Sequence, residues 1–348
     1  MDQQMDAVVF SALGQYEITT RPTPQIENPQ DVLVKILAAS ICGTDVHILH
    51  NPPGVIANPG IILGHECVAE IVATGPAVKA FRAGDRVVAD NNLPCGTCPA
   101  CLGGNANLCQ NLSSMGVHID GVFAQYAVFP DTALVKISPD VPLEKAIFAE
   151  PLNCVMGAMK KLKVMPGDTV LVLGGGPIGQ YFTGLMKASG AGKVLVSEIS
   201  DFRANFALKQ GATRVIRPDR EDLLAAVLEE TKGVGADIVI DAVGVLLKDA
   251  LATVKNGGSI LLFGMNANAR QEISQNTITA RGLTIYGNFI GLNTLCNTVN
   301  TLENAVVDFE NLVTHQLALK DFATGLEAMQ KGQAMEVVLY PFPELKGK

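Results

Sequence analysis

The sequence predicts an α/β protein of two domains, one irregular and rich in short strands, the other a doubly wound parallel sheet. Three observations carry this. At 348 residues the chain exceeds one ordinary core, and roughly 100–200 residues per domain suggests two. Its texture changes at residues 165–168 (MPGD), from short β-like runs to strands alternating with helical stretches. A glycine-rich turn, VLVLGGGPIGQYF, then sits where a strand passes into a helix.

Up to about residue 150 the runs VLVKILAA, CVAEIVATG, DRVVAD and FAQYAVF are broken by Gly, Pro and Asn, which reads as irregular β structure. Beyond MPGD, the apolar runs TVLVLG, KVLVSE, DIVIDAVG and SILLFG are separated by helical stretches, the pattern of βαβ units in a parallel sheet. Two helical patterns near 295–307 and 320–331 and the strand EVVLYPF close the chain; too few to stand alone, they pack on the first domain. The expected division is therefore 1–152 with 290–348, and 153–289 between them.

Charged residues make up 17% and apolar ones 48%, without repeats or low-complexity tracts, as in a compact domain. Lys and Arg total 26 against 34 Asp and Glu, a net charge of −8 without a basic stripe, which excludes nucleic acid as a partner. The start MDQQMDAVVF lacks a signal-peptide pattern, and no apolar run approaches the ~20 residues of a membrane span. No membrane partner and a cytoplasmic location are expected. Thiols stay reduced there, so clustered cysteines point to metal.

Gly174, Gly176 and Gly179 form a G-x-G-x-x-G turn with Pro177 and Ile178 inside it. Glycines there allow a tight turn and bring free helix N–H groups against a pyrophosphate. Nineteen residues past Gly179, Glu198 ends the next strand, where a carboxylate can accept both ribose hydroxyl protons and repel a 2′-phosphate. The expected cofactor is NAD, with Arg203 along the adenine face. The run PCGTCPACLGGNANLC spaces Cys95, Cys98, Cys101 and Cys109 for one tetrahedral Zn²⁺ in a lobe at about 90–112. Four thiolates fill the shell, so this metal clamps a lobe. A redox pair is the rival reading, but such a C-x-x-C heads a helix and this stretch reads as loop. A sparser set, Cys42, Thr44 and His47 in ICGTDVH, His65 and Glu66 in LGHECVAEIVATG, and Glu150 in FAEPLN, could hold a metal with an open position.

These motifs, in this order and spacing over nearly the whole chain, resemble the zinc-dependent medium-chain alcohol dehydrogenase family. Glu150 where liver-type members place a cysteine is similar to the polyol (sorbitol-type) and threonine dehydrogenase branches. The resemblance implies a GroES-like catalytic domain, a Rossmann domain, two Zn²⁺ per subunit, NAD, a small-molecule alcohol substrate, and a homodimer or homotetramer. It implies Cys42 and His65 as ligands of the catalytic metal, with Glu66 as third ligand and Glu150 either ligating or hydrogen-bonding the metal-bound water. Thr44 would take the alcohol proton and pass it through the nicotinamide ribose to His47. Phe263, Met265 and Phe289 would join the turn residues, Glu198 and Arg203 around the cofactor, and His118 would border the substrate cleft.

Ala69 replaces a glycine of the family pattern. Ile48 and Ile290 stand where sorbitol enzymes carry an aromatic and an arginine, which turns the expectation from sorbitol itself toward a shorter or less hydroxylated alcohol. Cys67, Cys154 and Cys296 read as small buried hydrophobes, and His315 as a turn residue. The leading expectation is oxidation of a secondary hydroxyl of a polyol or sugar-derived alcohol to a ketone. Its alternatives are threonine-type oxidation of a β-hydroxy amino acid and, in another class, a zinc-lobe binding or redox-sensing protein.

Overall fold

Strand Asp31–Ser40 is buried along nearly its whole length, as an apolar run paired on both edges must be. In the computed structural model, which describes residues 3–347, it is central to a seven-stranded sheet. The order is Val313–Ala318, Glu336–Tyr340, Asp31–Ser40, Glu66–Thr74, Arg86–Ala89 and Leu134–Lys136, with Tyr126–Pro130 also on Asp31–Ser40. Val34, Ile36, Phe123, Phe129 and Phe322 lie in its core. Register sets Ser40 opposite Glu66, so the chain leaving one strand and the chain entering the other meet at one end of the sheet.

The second unit holds six parallel strands in the order Arg214–Ile216, Lys193–Ser197, Thr169–Leu173, Ala236–Asp241, Val254–Leu262 and Thr284–Gly287. Strand order reverses beside Thr169–Leu173, whose carboxyl end runs straight into the glycine turn; such a switch point is where open α/β sheets bind ligands. Leu171, Val239, Ile260 and Leu195 pack in its own core.

The chain divides into one unit up to Asn153, with Leu292–Ala305 and from Glu310 on, and a second of Cys154–Gly291 with Val306–Phe309. Asn153, expected to open the nucleotide domain, instead closes the first unit. Val306–Phe309 go with the second because the Phe309 ring packs edge-on against Tyr181 at 5.2 Å. Further expectations are corrected. Cys98 caps a one-turn helix, Pro99–Leu102, inside the cysteine lobe. His315 lies within a strand, and Cys296 is exposed while Cys67 is buried. Ile48 is fully buried in the core and offers no surface to a substrate. Among the described residues no helix is long and apolar enough to cross a membrane.

Candidate active site and metal centres

Cys42 lies two residues beyond Ser40, and His65 immediately precedes Glu66, so the antiparallel register brings these donors together. One ligand atom each from Cys42, His65 and Glu66 lie within 4.8 Å of one another. His65 and Glu66 are buried. Asp45, which no sequence motif marks as a site residue, ties the set together. Its Oδ2 accepts the Cys42 N–H at 2.9 Å, and its Oδ1 lies 3.6 Å from His65 Nδ1. A carboxylate behind a ring nitrogen orients the imidazole and leaves Nε2 as the donor for a metal. Ser40 Oγ donates to Glu66 Oε2, which leaves the other carboxylate oxygen of Glu66 for a ligand role.

The charges here need a cation. Burial, then Asp45 and Glu150, push the Cys42 thiol up to about 12. Burial opposes charging of His65, yet Asp45, Glu66 and Glu150 outweigh it and raise the imidazole to about 10. Glu66 is held well above the usual carboxylate range by burial, Cys42, Glu336 and Glu150. A half-buried thiol beside a buried imidazole and a buried carboxylate, with further acids around them, is a donor set that fits a divalent metal. Glu150 is buried and acts electrostatically on Cys42, His65 and Glu66 but stands outside their compact set. Glu336, on strand Glu336–Tyr340, is a second buried acid acting on Glu66 that no motif marked. Thr44 Oγ1 lies 3.7 Å from Cys42 Sγ and is half-buried, whereas His47 is exposed. His118 is also exposed, its Nδ1 accepting the Ser114 N–H at 3.0 Å.

The four clustered sulfurs also lie within 4.8 Å of one another, with Cys98 Sγ 3.5 Å from Cys101 Sγ and 3.9 Å from Cys109 Sγ. Backbone N–H groups aim at them: Cys98 N at Cys95 Sγ, and Cys95 N and Asn111 N at Cys109 Sγ. Backbone donors at Thr97 and Cys98 bring Cys95 down to about 5. N–H groups that solvate thiolates, converging from one loop, suit a closed Zn²⁺ site. The short helix behind Cys98 does not restore the redox reading, because four thiols converge here.

In the second unit, Gly174 has φ +96 and an added Cβ would lie 2.4 Å from Val243 Cγ2; at Gly179 it would lie 1.9 Å from Gly174 O. Gly176, the N-cap of helix Pro177–Ala188, differs: an added Cβ there meets no atom within 4 Å. Protein packing requires Gly174 and Gly179, while Gly176 leaves open space before a helix N-terminus, as a pyrophosphate needs. Glu198 Oε2 accepts Gly175 N–H at 2.8 Å and Oε1 accepts Ser200 N–H at 2.7 Å, which fixes the carboxylate and leaves each oxygen a lone pair for a ribose hydroxyl. Arg203 is half-buried, its Nε without a hydrogen-bond partner among the described residues. Phe263 packs edge-on against Phe182, whereas Met265 and Phe289 are exposed.

A parallel sheet with a phosphate-ready turn, together with one closed and one open donor set, defines a metal- and dinucleotide-dependent oxidoreductase. The chain matches the alcohol dehydrogenase GroES-like domain over residues 28–139 and the zinc-binding dehydrogenase family over 177–311. It is similar to L-threonine 3-dehydrogenase of Caldanaerobacter subterraneus subsp. tengcongensis, 35% identical and covering 97% of this chain and 100% of that protein. Against sorbitol dehydrogenase of Bacillus subtilis the values are 33%, 97% and 98%. A zinc-binding dehydrogenase from Sinorhizobium meliloti 1021, solved with NADP, superimposes with a TM-score of 0.93 at 29% identity, over 98% of this chain and 100% of that one. The chain belongs to the zinc-dependent medium-chain alcohol dehydrogenase family, with zinc and NAD as its cofactors.

Proposed function

We propose that the protein oxidises a secondary hydroxyl of a polyol or sugar-derived alcohol to the ketone, passing hydride to NAD and releasing one proton. The observation that carries this is the Cys42, His65 and Glu66 set, whose three ligand atoms lie within 4.8 Å of one another and leave a metal position open to a hydroxyl oxygen. Cys42 and His65 hold the metal, with Glu66 or Glu150 completing its protein ligands. When bound, the metal supplies Lewis acidity that lowers the hydroxyl pKa. Thr44, beside Cys42, takes the hydroxyl proton, and exposed His47 gives it to solvent. Gly176 and the following helix N-terminus receive the cofactor pyrophosphate, and Glu198 and Arg203 its adenosine end.

The similarity to threonine dehydrogenases supports a second reading, oxidation of a β-hydroxy amino acid. Purified protein with NAD and a panel of xylitol, sorbitol, 2,3-butanediol and L-threonine separates the two by initial rates of NADH formation. A higher kcat/KM on L-threonine would select the second reading. Lack of NADH with every secondary alcohol, or full activity after metal removal, would refute both. We further propose a homodimer or homotetramer in the cytoplasm, which light scattering and cell fractionation would check.

A further inference from the structure

A partly buried chain of hydrogen bonds joins the base of the cysteine lobe to the helix that carries Glu150. Two short paired strands, Asn92–Leu93 and Ser113–Ser114, bracket the lobe, and Ser114 Oγ donates to Asn92 Oδ1 at 3.0 Å. Asn92 donates its backbone N–H and its side-chain amide to Asp90 Oδ1 at 3.0 and 3.2 Å. The other oxygen of Asp90 accepts from Asn153 Nδ2 at 3.0 Å. Asn153 is fully buried on helix Ala149–Met159, three residues past Glu150 and therefore on the same face. Its Oδ1 and backbone carbonyl accept from Thr294 Oγ1 at 2.7 and 2.9 Å. Asn153 is also the residue after which the chain leaves this unit, and Thr294 follows closely on its return at Leu292.

An apolar contact would have stabilised the helix as well, but without direction. A half-buried carboxylate facing a buried amide must be partly desolvated, and what it adds is a fixed angle and register. Because Glu150 shares a face with Asn153, any turn of the helix about its axis carries the Glu150 carboxylate with it, and a displacement of about 1 Å at a reacting centre costs on the order of 100-fold in rate.

We propose that Asn153 is a positioning residue for Glu150, and that through Asp90 and Asn153 the base of the four-cysteine lobe fixes that carboxylate at the catalytic metal site. This rests on reading Glu150 as a member of that site.

The test uses full-length enzyme with zinc in the lobe and Co²⁺ in the catalytic site, whose visible absorption reports the ligand field without turnover. Asn153→Asp sets two carboxylates against each other, and Asp90→Asn sets two amide donors against each other. Each should lower kcat by roughly 10–100-fold, shift the cobalt absorption and leave the lobe zinc in place. Combining both substitutions reverses the polarity of the bond while keeping an acceptor for Thr294 and for Asn92, and it should restore spectrum and kcat. Should Asn153→Asp not fold, Thr294→Val, which removes one donor to Asn153, should shift the spectrum less and in the same direction. Folded single variants with the wild-type spectrum, or a double variant that regains melting temperature but not spectrum and kcat, would overturn the inference. If the wild type takes up cobalt but turns over no secondary alcohol, the functional reading fails, while the spectral comparison still decides the positioning role.

Discussion

Cys42 and Cys98 carry the same thiol into opposite tasks, and their neighbours set the difference. Cys42 shares its site with an imidazole and a carboxylate, which leaves room for a substrate oxygen; Cys98 is one of four sulfurs that fill a shell. Cys42→Ser should therefore lower kcat by roughly 100-fold or more with the melting temperature nearly unchanged, whereas Cys98→Ser should lose lobe zinc and melting temperature first, as metal analysis and calorimetry would show. The lobe also predicts a pH dependence. Burial and the neighbouring sulfurs push Cys101 up to about 12, while backbone donors bring Cys95 down to about 5. A thiol protonated at neutral pH must give up its proton when zinc binds, so acid favours the metal-free lobe. Zinc affinity, followed with a chromophoric chelator, should fall by roughly tenfold per pH unit for each proton displaced between pH 8 and 6. The four-cysteine site was legible because its ligands are close in sequence and share one residue type. Asp45 was passed over because an Asp in a first helical turn reads as a cap, which it also is, and its contact with His65 spans two separate motifs. Glu336 is more distant still and reaches Glu66 only because the sheet runs Glu336–Tyr340 beside Asp31–Ser40.

At the level of elements, the glycine turn and its helix separate packing from ligand binding. Gly179→Ala would drive a methyl into Gly174 O and should destabilise the protein by about 1–3 kcal/mol. Gly176→Ala meets only open space and should change stability by about 0.5 kcal/mol or less, yet raise KM for NAD by roughly tenfold if the proposed pyrophosphate site holds, because the methyl would stand in it. Thermal melts and cofactor titrations of the two variants check the contrast; equal loss of cofactor affinity without a stability difference would contradict it. The parallel strands were readable because each is a buried apolar run with local turn signals. Helix Pro99–Leu102 was not, since a single turn opened by proline carries no 3.6-residue period. The Asp90 to Asn153 and Asn153 to Thr294 bonds span 63 and 141 residues of chain and leave no local trace in composition or spacing.

Across the whole molecule, each unit has an apolar cluster of its own. One core draws on residues between Val8 and Leu134 with a return from Leu319 to Leu339, and the other lies between Leu171 and Leu283. Both donor sets for metal, Cys42, His65 and Glu66 as well as the four cysteines, fall in the first unit, while the glycine turn and Glu198 fall in the second. Metal removal should then act on chemistry and on the first unit while the nucleotide site persists. Protein stripped of zinc by a chelator should lose turnover by roughly 100-fold or more and still bind NADH within about threefold of its original Kd, because the glycine turn and Glu198 are held by contacts inside the second unit. NADH at about 100 times Kd should also stabilise the second unit of the stripped protein by about 2.7 kcal/mol, raising a melting transition that zinc does not govern. NADH fluorescence titration and differential scanning calorimetry on the same stripped sample would read both quantities. Loss of NADH affinity in step with zinc would show that the second unit cannot hold its fold alone, and that the contiguous core seen from Leu171 to Leu283 is insufficient by itself.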